Sequence, residues 1–345
     1  MAESFIQRVT RRVGAAEMVL LVVLFACFMV PALTASPSLV SLLSQILIAL
    51  IGALAVYIMM RMDLMTFGVP AFMAVGAYAG AIMSLDHGVT NLLALAGISF
   101  IVPMLIALPL GWMVLRLSGV YFVLVTFVIA EIVPLVLFET SSLTGGANGL
   151  AGLPAPVLMG WTVQDNRAVL QMAIGVALLC AIVTVALTRA LRRQFAAIEE
   201  DPVLAQSLGL VVWKHKVIGF CVAAGISGLG GFVLVNMLLT AHPSSFSAIS
   251  SVNYIAYAIV GGRASILGPL VGSTLLVWAT NLFSFEGQYS QGLFGLLLMV
   301  VVLATKGGIV GLAMSVWPPL AHRFRHRASA VSAAAPPQAA PQGDK

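Results

Sequence analysis

The 345-residue chain is 61% hydrophobic and only 8% charged, with a net charge of +5. A soluble domain carries roughly 25% charged residues, so a water-soluble globule is excluded, as is disorder over the bulk of the chain, which needs low hydrophobicity. Cys27, Cys180 and Cys221 all lie in apolar runs; they form no disulfide framework and read as small packing residues.

These features describe an all-α integral membrane protein. A membrane-crossing helix needs about 20 mostly apolar residues. Residues 1–17 read as a short cytoplasmic segment carrying Arg8, Arg11 and Arg12, and the first span follows at 18–35. A basic start before an apolar run also fits a cleaved leader. Against that, no clear Ala-x-Ala site follows Pro31, and the apolar character resumes at Val40. Further spans are expected at 39–60, 64–85, 92–115 and 119–138, then at 168–188, 217–241, 250–262, 266–284 and 290–305. The eighth is too short to cross a bilayer as a straight helix. The transmembrane domain is therefore placed at 18–312, followed at 313–345 by a basic and then disordered cytoplasmic tail.

Ten spans put both ends of the chain on one side. All 17 Lys and Arg residues except Arg167 then fall on that side, which the positive-inside rule assigns to the cytoplasm. Merging 250–284 into one span would bury Arg263 and send the basic tail outside. The positive charge is explained by topology and contact with the lipid bilayer, with no nucleic-acid partner. Asp86, Glu139, Asp165 and Glu286 mark outer segments that are either solvated or meet a partner.

Ten spans divide into two five-helix halves of opposite orientation, a common plan in transporters. The third span of each half is broken or short. In the first half, Asp63 to Pro70 includes Thr66, Phe67, Gly68 and Pro70, with Phe72 just beyond; in the second, Ser250–Val260 ends at Gly261-Gly262-Arg263, followed by Gly268-Pro269. Interrupted helices at matching positions suit a translocation pathway, where a cavity can satisfy the freed backbone groups. Close helix packing is the other reading of such Gly and Pro residues, and Gly76, Gly80, Gly225 and Gly228 suit it by their spacing.

Two loops carry information. The outer one, 139–167, contains Thr144, Gly145, Gly146, Asn148, Gly149 and Gly152, and its glycines permit tight turns at positive φ. It lacks the G-x-x-x-x-G-K-[ST] phosphate loop, as does the rest of the chain, so no P-loop ATPase site is present. The inner loop, 189–216, holds Asp201 as an N-cap, Pro202 at the first helical position and Gly209 as a stop. The helix between them spans about two turns, too short to stand alone in water. Its apolar Val203, Leu204 and Leu208 must pack on the membrane domain or on a partner.

The stretch Phe195–Leu210, including Ala196, Ala197, Asp201, Pro202, Ala205, Leu208 and Gly209, resembles the coupling loop of high-affinity branched-chain amino acid ABC transporter permeases. Ser142–Pro154 resembles the signature of the longer of their two permease subunits. Ser118–Phe122, Gly261–Pro269 and Lys306–Gly311 follow in the family's order, so the likeness covers about residues 40–312. The resemblance implies a bacterial inner-membrane permease working with a second, similar permease, two cytoplasmic ATPase subunits that bind ATP and Mg, and a periplasmic solute-binding protein. It implies that the helix at 201–209 docks on an ATPase, and that this chain holds no catalytic residue, metal or cofactor of its own. One departure is Val69 where the family often has His, with Pro70 in place of a small residue; this leaves the solute open among branched-chain and other amino acids, amides and urea.

Charges inside spans are expensive. Glu131 is the only acid well inside the expected spans, either bonded within the bundle or serving ion coupling. Arg61 and Asp63 are close enough in sequence to pair. The competing reading of the chain is a stand-alone ion-coupled carrier of small solutes.

Overall fold

The computed structural model describes residues 14–27, 36–263 and 265–283, with isolated positions 292, 295, 299 and 308–310. Five helices in it are long and apolar enough to cross a membrane: α2 (Pro37–Met60), α4 (Leu92–Val114), α5 (Val120–Glu139), α7 (Asn166–Ala190) and α10 (Val212–Leu238). Shorter apolar helices are α1 (Ala15–Cys27), α3 (Val69–Leu85), α11 (Ile249–Gly261) and α12 (Leu267–Phe283). The remaining helices are short and lie in the loops: α6 (Ser141–Thr144), α8 (Arg192–Glu200) and α9 (Pro202–Ser207). The expected span at 290–305, the tail and most of residues 1–17 lie outside the described residues.

A helix that is apolar all round must be surrounded by protein or lipid. In α2 protein does the surrounding, since every residue from Ile46 to Met60 is buried. The packing is reciprocal. α2 lies against α7, α11 and α12, whereas α10 lies against α3 and α4, and the two meet each other. Small residues allow these close approaches. A Cβ on Gly76 would fall 2.3 Å from Gly228 Cα, and one on Gly231 would fall 1.9 Å from the Met73 carbonyl oxygen. Both contacts bring α3 and α10 nearly backbone to backbone, the packing that the glycine spacing suggested.

The bundle has two distinguishable ends. At the basic end, Arg61 pairs with Glu199, and Asp63 and Arg263 line one cavity. Glu17 at the start of α1 pairs with Arg189 near the end of α7. At the opposite end, the loop after α5 reaches the turn after α10. There β1 (Leu150–Ala151) pairs antiparallel with β4 (Thr240–Ala241), Leu150 opposite Ala241. A hairpin of β2 (Val157–Leu158) and β3 (Trp161–Thr162) turns through Met159 and Gly160, both at positive φ, as a two-residue type I′ connection requires.

Several boundaries differ from expectation. The third span starts at Val69 rather than 64, because residues 64–68 are not helical. α11 has 13 residues, a rise of about 20 Å, shorter than the ~30 Å hydrocarbon core. The inner loop is mostly helical, and α8 was missed because its nine residues follow α7 with hardly a break. α10 begins at Val212, so Lys214 and Lys216 sit on its first turns.

Candidate functional site

The loop at the basic end is built to hold α9 outward. α8 buries Phe195 and Ile198 completely, and the Phe195 ring reaches the neighbourhood of Gly219 and Met62. Arg61 Nη1 lies 2.7 Å from Glu199 Oε2, with the two side chains 22% and 21% exposed. Arg61 therefore pairs with the loop and not with nearby Asp63. The reason is geometric: Asp63 takes a positive φ of 55° in the turn after α2, while α8 carries Glu199 to the end of that helix.

α9 has the caps its sequence calls for. Asp201 Oδ1 accepts from the Val203 and Leu204 N–H groups at 2.8 and 3.1 Å, and Pro202 occupies the first turn. At the other end Gly209 has φ +88°. Its N–H donates to the Gln206 carbonyl, and Leu210 N–H donates to the Ala205 carbonyl at 3.1 Å. These two bonds form a Schellman stop. Only Ala205 on α9 is buried. Val203, Leu204 and Leu208 are 70%, 54% and 80% exposed, and Val211 and Trp213 extend the apolar surface. Ala196 is exposed, and Ala197 and Pro202 are half-buried. Val211 and Trp213 were not singled out from sequence, because after a loop they read as the ordinary start of a span.

The non-helical stretch before α3 is the second element. A segment without helical hydrogen bonds, packed among helices, needs other partners for its peptide groups, and α5 and α11 provide them. Phe67 N–H donates to Thr126 Oγ1 on α5 at 3.2 Å, and the Ser251 hydroxyl on α11 donates to the Phe67 carbonyl. Thr66 Oγ1 accepts from Gly68 N–H at 3.0 Å. Phe67 packs edge-on against Phe127, and Phe72 against Phe220; Pro70 is buried in the first turn of α3. Beside this stretch lies a cavity of about 350 Å³, reached from the basic end and bordered by Asp63, Leu64, Met65, Gly119, Phe122 and Arg263.

Gly261, Gly262, Gly268 and Pro269 do not border that cavity. They form the crossing of α11 and α12. A Cβ on Gly261 would stand 1.8 Å from the Gly268 oxygen, and one on Gly268 would stand 2.0 Å from the Gly262 oxygen. The two interrupted segments thus meet twice: Arg263 borders the same cavity as Asp63, Leu64 and Met65, and Ser251, at the far end of α11, reaches Phe67. A different opening of about 300 Å³ between α2, α10, α11 and α12 carries uncharged polar groups, among them Gln45, Asn253 and Asn281.

At the opposite end, the Gly-rich loop is a set of turns. Gly145, Gly146 and Gly149 all have positive φ. Thr144 is buried and donates to the Thr140 carbonyl at 2.8 Å, whereas Asn148 is exposed. A Cβ on Gly149 would come 2.4 Å from the Ala241 oxygen, so this glycine lets β1 lie against β4. His242 Nε2 is 2.9 Å from the Ala147 carbonyl oxygen, and Tyr78 O–H donates to the Ala241 carbonyl at 3.0 Å. These contacts assign His242 to joining the two loops. Among the described residues no cluster of His, Cys, Asp or Glu could hold a metal ion.

A family model described as the permease component of the branched-chain amino acid transport system matches residues 38–305. The high-affinity branched-chain amino acid transport system permease proteins LivM of Salmonella typhimurium and Escherichia coli are 28% and 27% identical to the chain over 273 residues. In both cases the match covers 72% of this chain and 64% of the relative, so the chain spans just under two thirds of their length. The ribose import permease protein RbsC of Haemophilus influenzae is 25% identical over 265 residues, covering 68% of this chain and 81% of that protein. No solved structure gives a significant match.

Proposed function

The chain belongs to the permease component family of branched-chain amino acid transport systems, and from that premise we propose that it is a membrane-spanning subunit of an ATP-driven importer for branched-chain or related amino acids. The observation that carries the reading is α9: a helix capped at both ends, too short to be stable alone, yet presenting Val203, Leu204 and Leu208 outward. Such a surface suits a groove on a cytoplasmic ATPase subunit. The basic end is then the cytoplasmic side, and the joined loops at 140–162 and 240–246 face the periplasmic binding protein. A second, similar permease completes the membrane pair.

In this reading the chain supplies a route and a lever. ATP-driven closure of the ATPase subunits displaces α9. The movement passes through α8 and the Arg61–Glu199 pair to the end of α2, which lies at the centre of the bundle. The reciprocal packing of α2 and α10 is what two inverted five-helix halves, each holding the second helix of the other, would produce. A shift of one half then changes the spacing around the 64–68 stretch, which both halves grip. ATP and Mg are bound by the partner subunits. The solute is selected largely by the binding protein.

The test is Leu208→Asp. A carboxylate in the docking surface should abolish copurification of the ATPase subunits while the permease still inserts in the membrane. Unchanged association would remove α9 from the interface. Proton-driven uptake by the purified chain in ATP-free vesicles would overturn the importer reading altogether.

A further inference from the structure

Glu131 takes part in nothing described so far. Among the described residues it is the only Asp or Glu in the interior of any of the five long apolar helices. It sits near the middle of α5, with its side chain exposed and without a hydrogen bond or ion pair among the described residues. α5 is also the least buried of the five. Tyr121, Leu124, Val128 and Leu135 all point outward.

A helix face of this kind cannot simply lie in lipid. Its apolar residues would be at home there, but a carboxylate at mid-membrane is costly, and such groups characteristically face a bundle interior or a water-filled cavity. The rest of α5 leads to the nearest cavity, which Glu131 itself does not border. Gly119, Val120, Phe122 and Val123, at the start of the helix, border the opening at the basic end. One turn further, Thr126 and Phe127 hold Phe67 of the non-helical stretch. Glu131 follows Phe127 by four residues and so lies on the same face, one turn deeper. The opening, the contact with Phe67 and the carboxylate thus succeed one another along one helix.

The chemistry of the cargo fits the carboxylate. Aliphatic amino acids differ in their side chains but share an α-ammonium group, which is mostly protonated at neutral pH. We propose that Glu131 lines the solute route, in a water-filled seam along α5, and holds the ammonium group of the amino acid in transit. The proposal rests on the importer reading above. A cation on the second permease subunit is the competing occupant, and lipid is the other.

The experiment uses the assembled importer, with both permeases, the ATPases and the binding protein, reconstituted in vesicles and fed leucine. Glu131→Gln should lower uptake tenfold or more at normal complex yield, and Glu131→Asp should recover part of it. In a background with Cys27, Cys180 and Cys221 replaced by Ala, Glu131→Cys should react with a membrane-impermeant thiosulfonate and react more slowly during leucine uptake. Normal uptake by the Gln variant overturns the proposal. Loss of the second permease subunit from the Gln complex would show that Glu131 pairs with that subunit instead. A cysteine inert to the aqueous reagent would place the position in lipid. A wild-type complex that moves no amino acid would instead sink the importer reading, and the proposal with it.

Discussion

Arg61 and Glu199 meet at 2.7 Å and tie the end of α2 to α8. Arg61 C-caps α2, and Glu199 lies two residues before Asp201, the cap of α9. The pair is the one ion pair among the described residues that joins the loop to the centre of the bundle. Its partial exposure means that solvent screens it, so its contribution to stability is of the order of 1 kcal/mol or less. In the proposed importer its role is transmission.

Glu199→Gln should therefore leave thermal stability in detergent almost unchanged while lowering the solute moved per ATP hydrolysed. Arg61→Gln should behave alike, and the charge exchange Arg61→Glu with Glu199→Arg should restore part of the coupling. Parallel measurement of leucine uptake and ATP hydrolysis in vesicles checks this. If single variants keep the wild-type ratio, the pair is only structural.

The Phe67 peptide is held by Ser251 on one side and Thr126 on the other. Ser251→Ala leaves a partly buried carbonyl without that donor, at a cost of about 1 kcal/mol. Thr126→Val removes the acceptor for the Phe67 N–H at a similar cost. Because both act on one short segment, the double variant should lose less than the sum of the singles. Thermal unfolding in detergent measures all three, and strict additivity would show that the two contacts are independent.

Glycines at helix crossings and glycines in open space should respond oppositely to alanine. Gly261→Ala places a methyl group against the Gly268 backbone and must push α11 and α12 apart. It should reduce the yield of folded protein severely. At Gly97, within α4, no neighbouring atom lies within 4 Å of an added Cβ, so Gly97→Ala should be neutral or stabilising by up to about 1 kcal/mol from helix propensity. Expression yield and melting temperature of the two variants give the comparison.

Much of the local structure was legible because it depends on neighbours in the chain. Asp201, Pro202 and Gly209 bound α9 as their intrinsic preferences dictate, and Gly145, Gly146 and Gly149 make turns where a loop was expected. Apolar run length located the described membrane helices, with starts off by about five residues at Val69 and Val212; the span expected at 290–305 lies outside the described residues. α8 was not legible: its Phe195 and Ile198 are buried only because Met62 and α10 are brought beside them. The pairing of Arg61 was misread for the same reason, since Asp63 is closer in sequence and Glu199 closer in space.

What the sequence determined by itself is the class of the protein, its apolar helices, its caps and the family it belongs to, all properties of composition and local order. The tertiary structure decided which helix is central, which groups satisfy the backbone of the stretch before α3, and which apolar residues remain uncovered. Those outcomes depend on contacts between residues far apart in the chain, such as Phe67 with Ser251 and Gly76 with Gly228. Low charge marked the chain as a membrane protein; folding left Glu131 exposed on α5, one turn beyond the Phe127 that packs on Phe67.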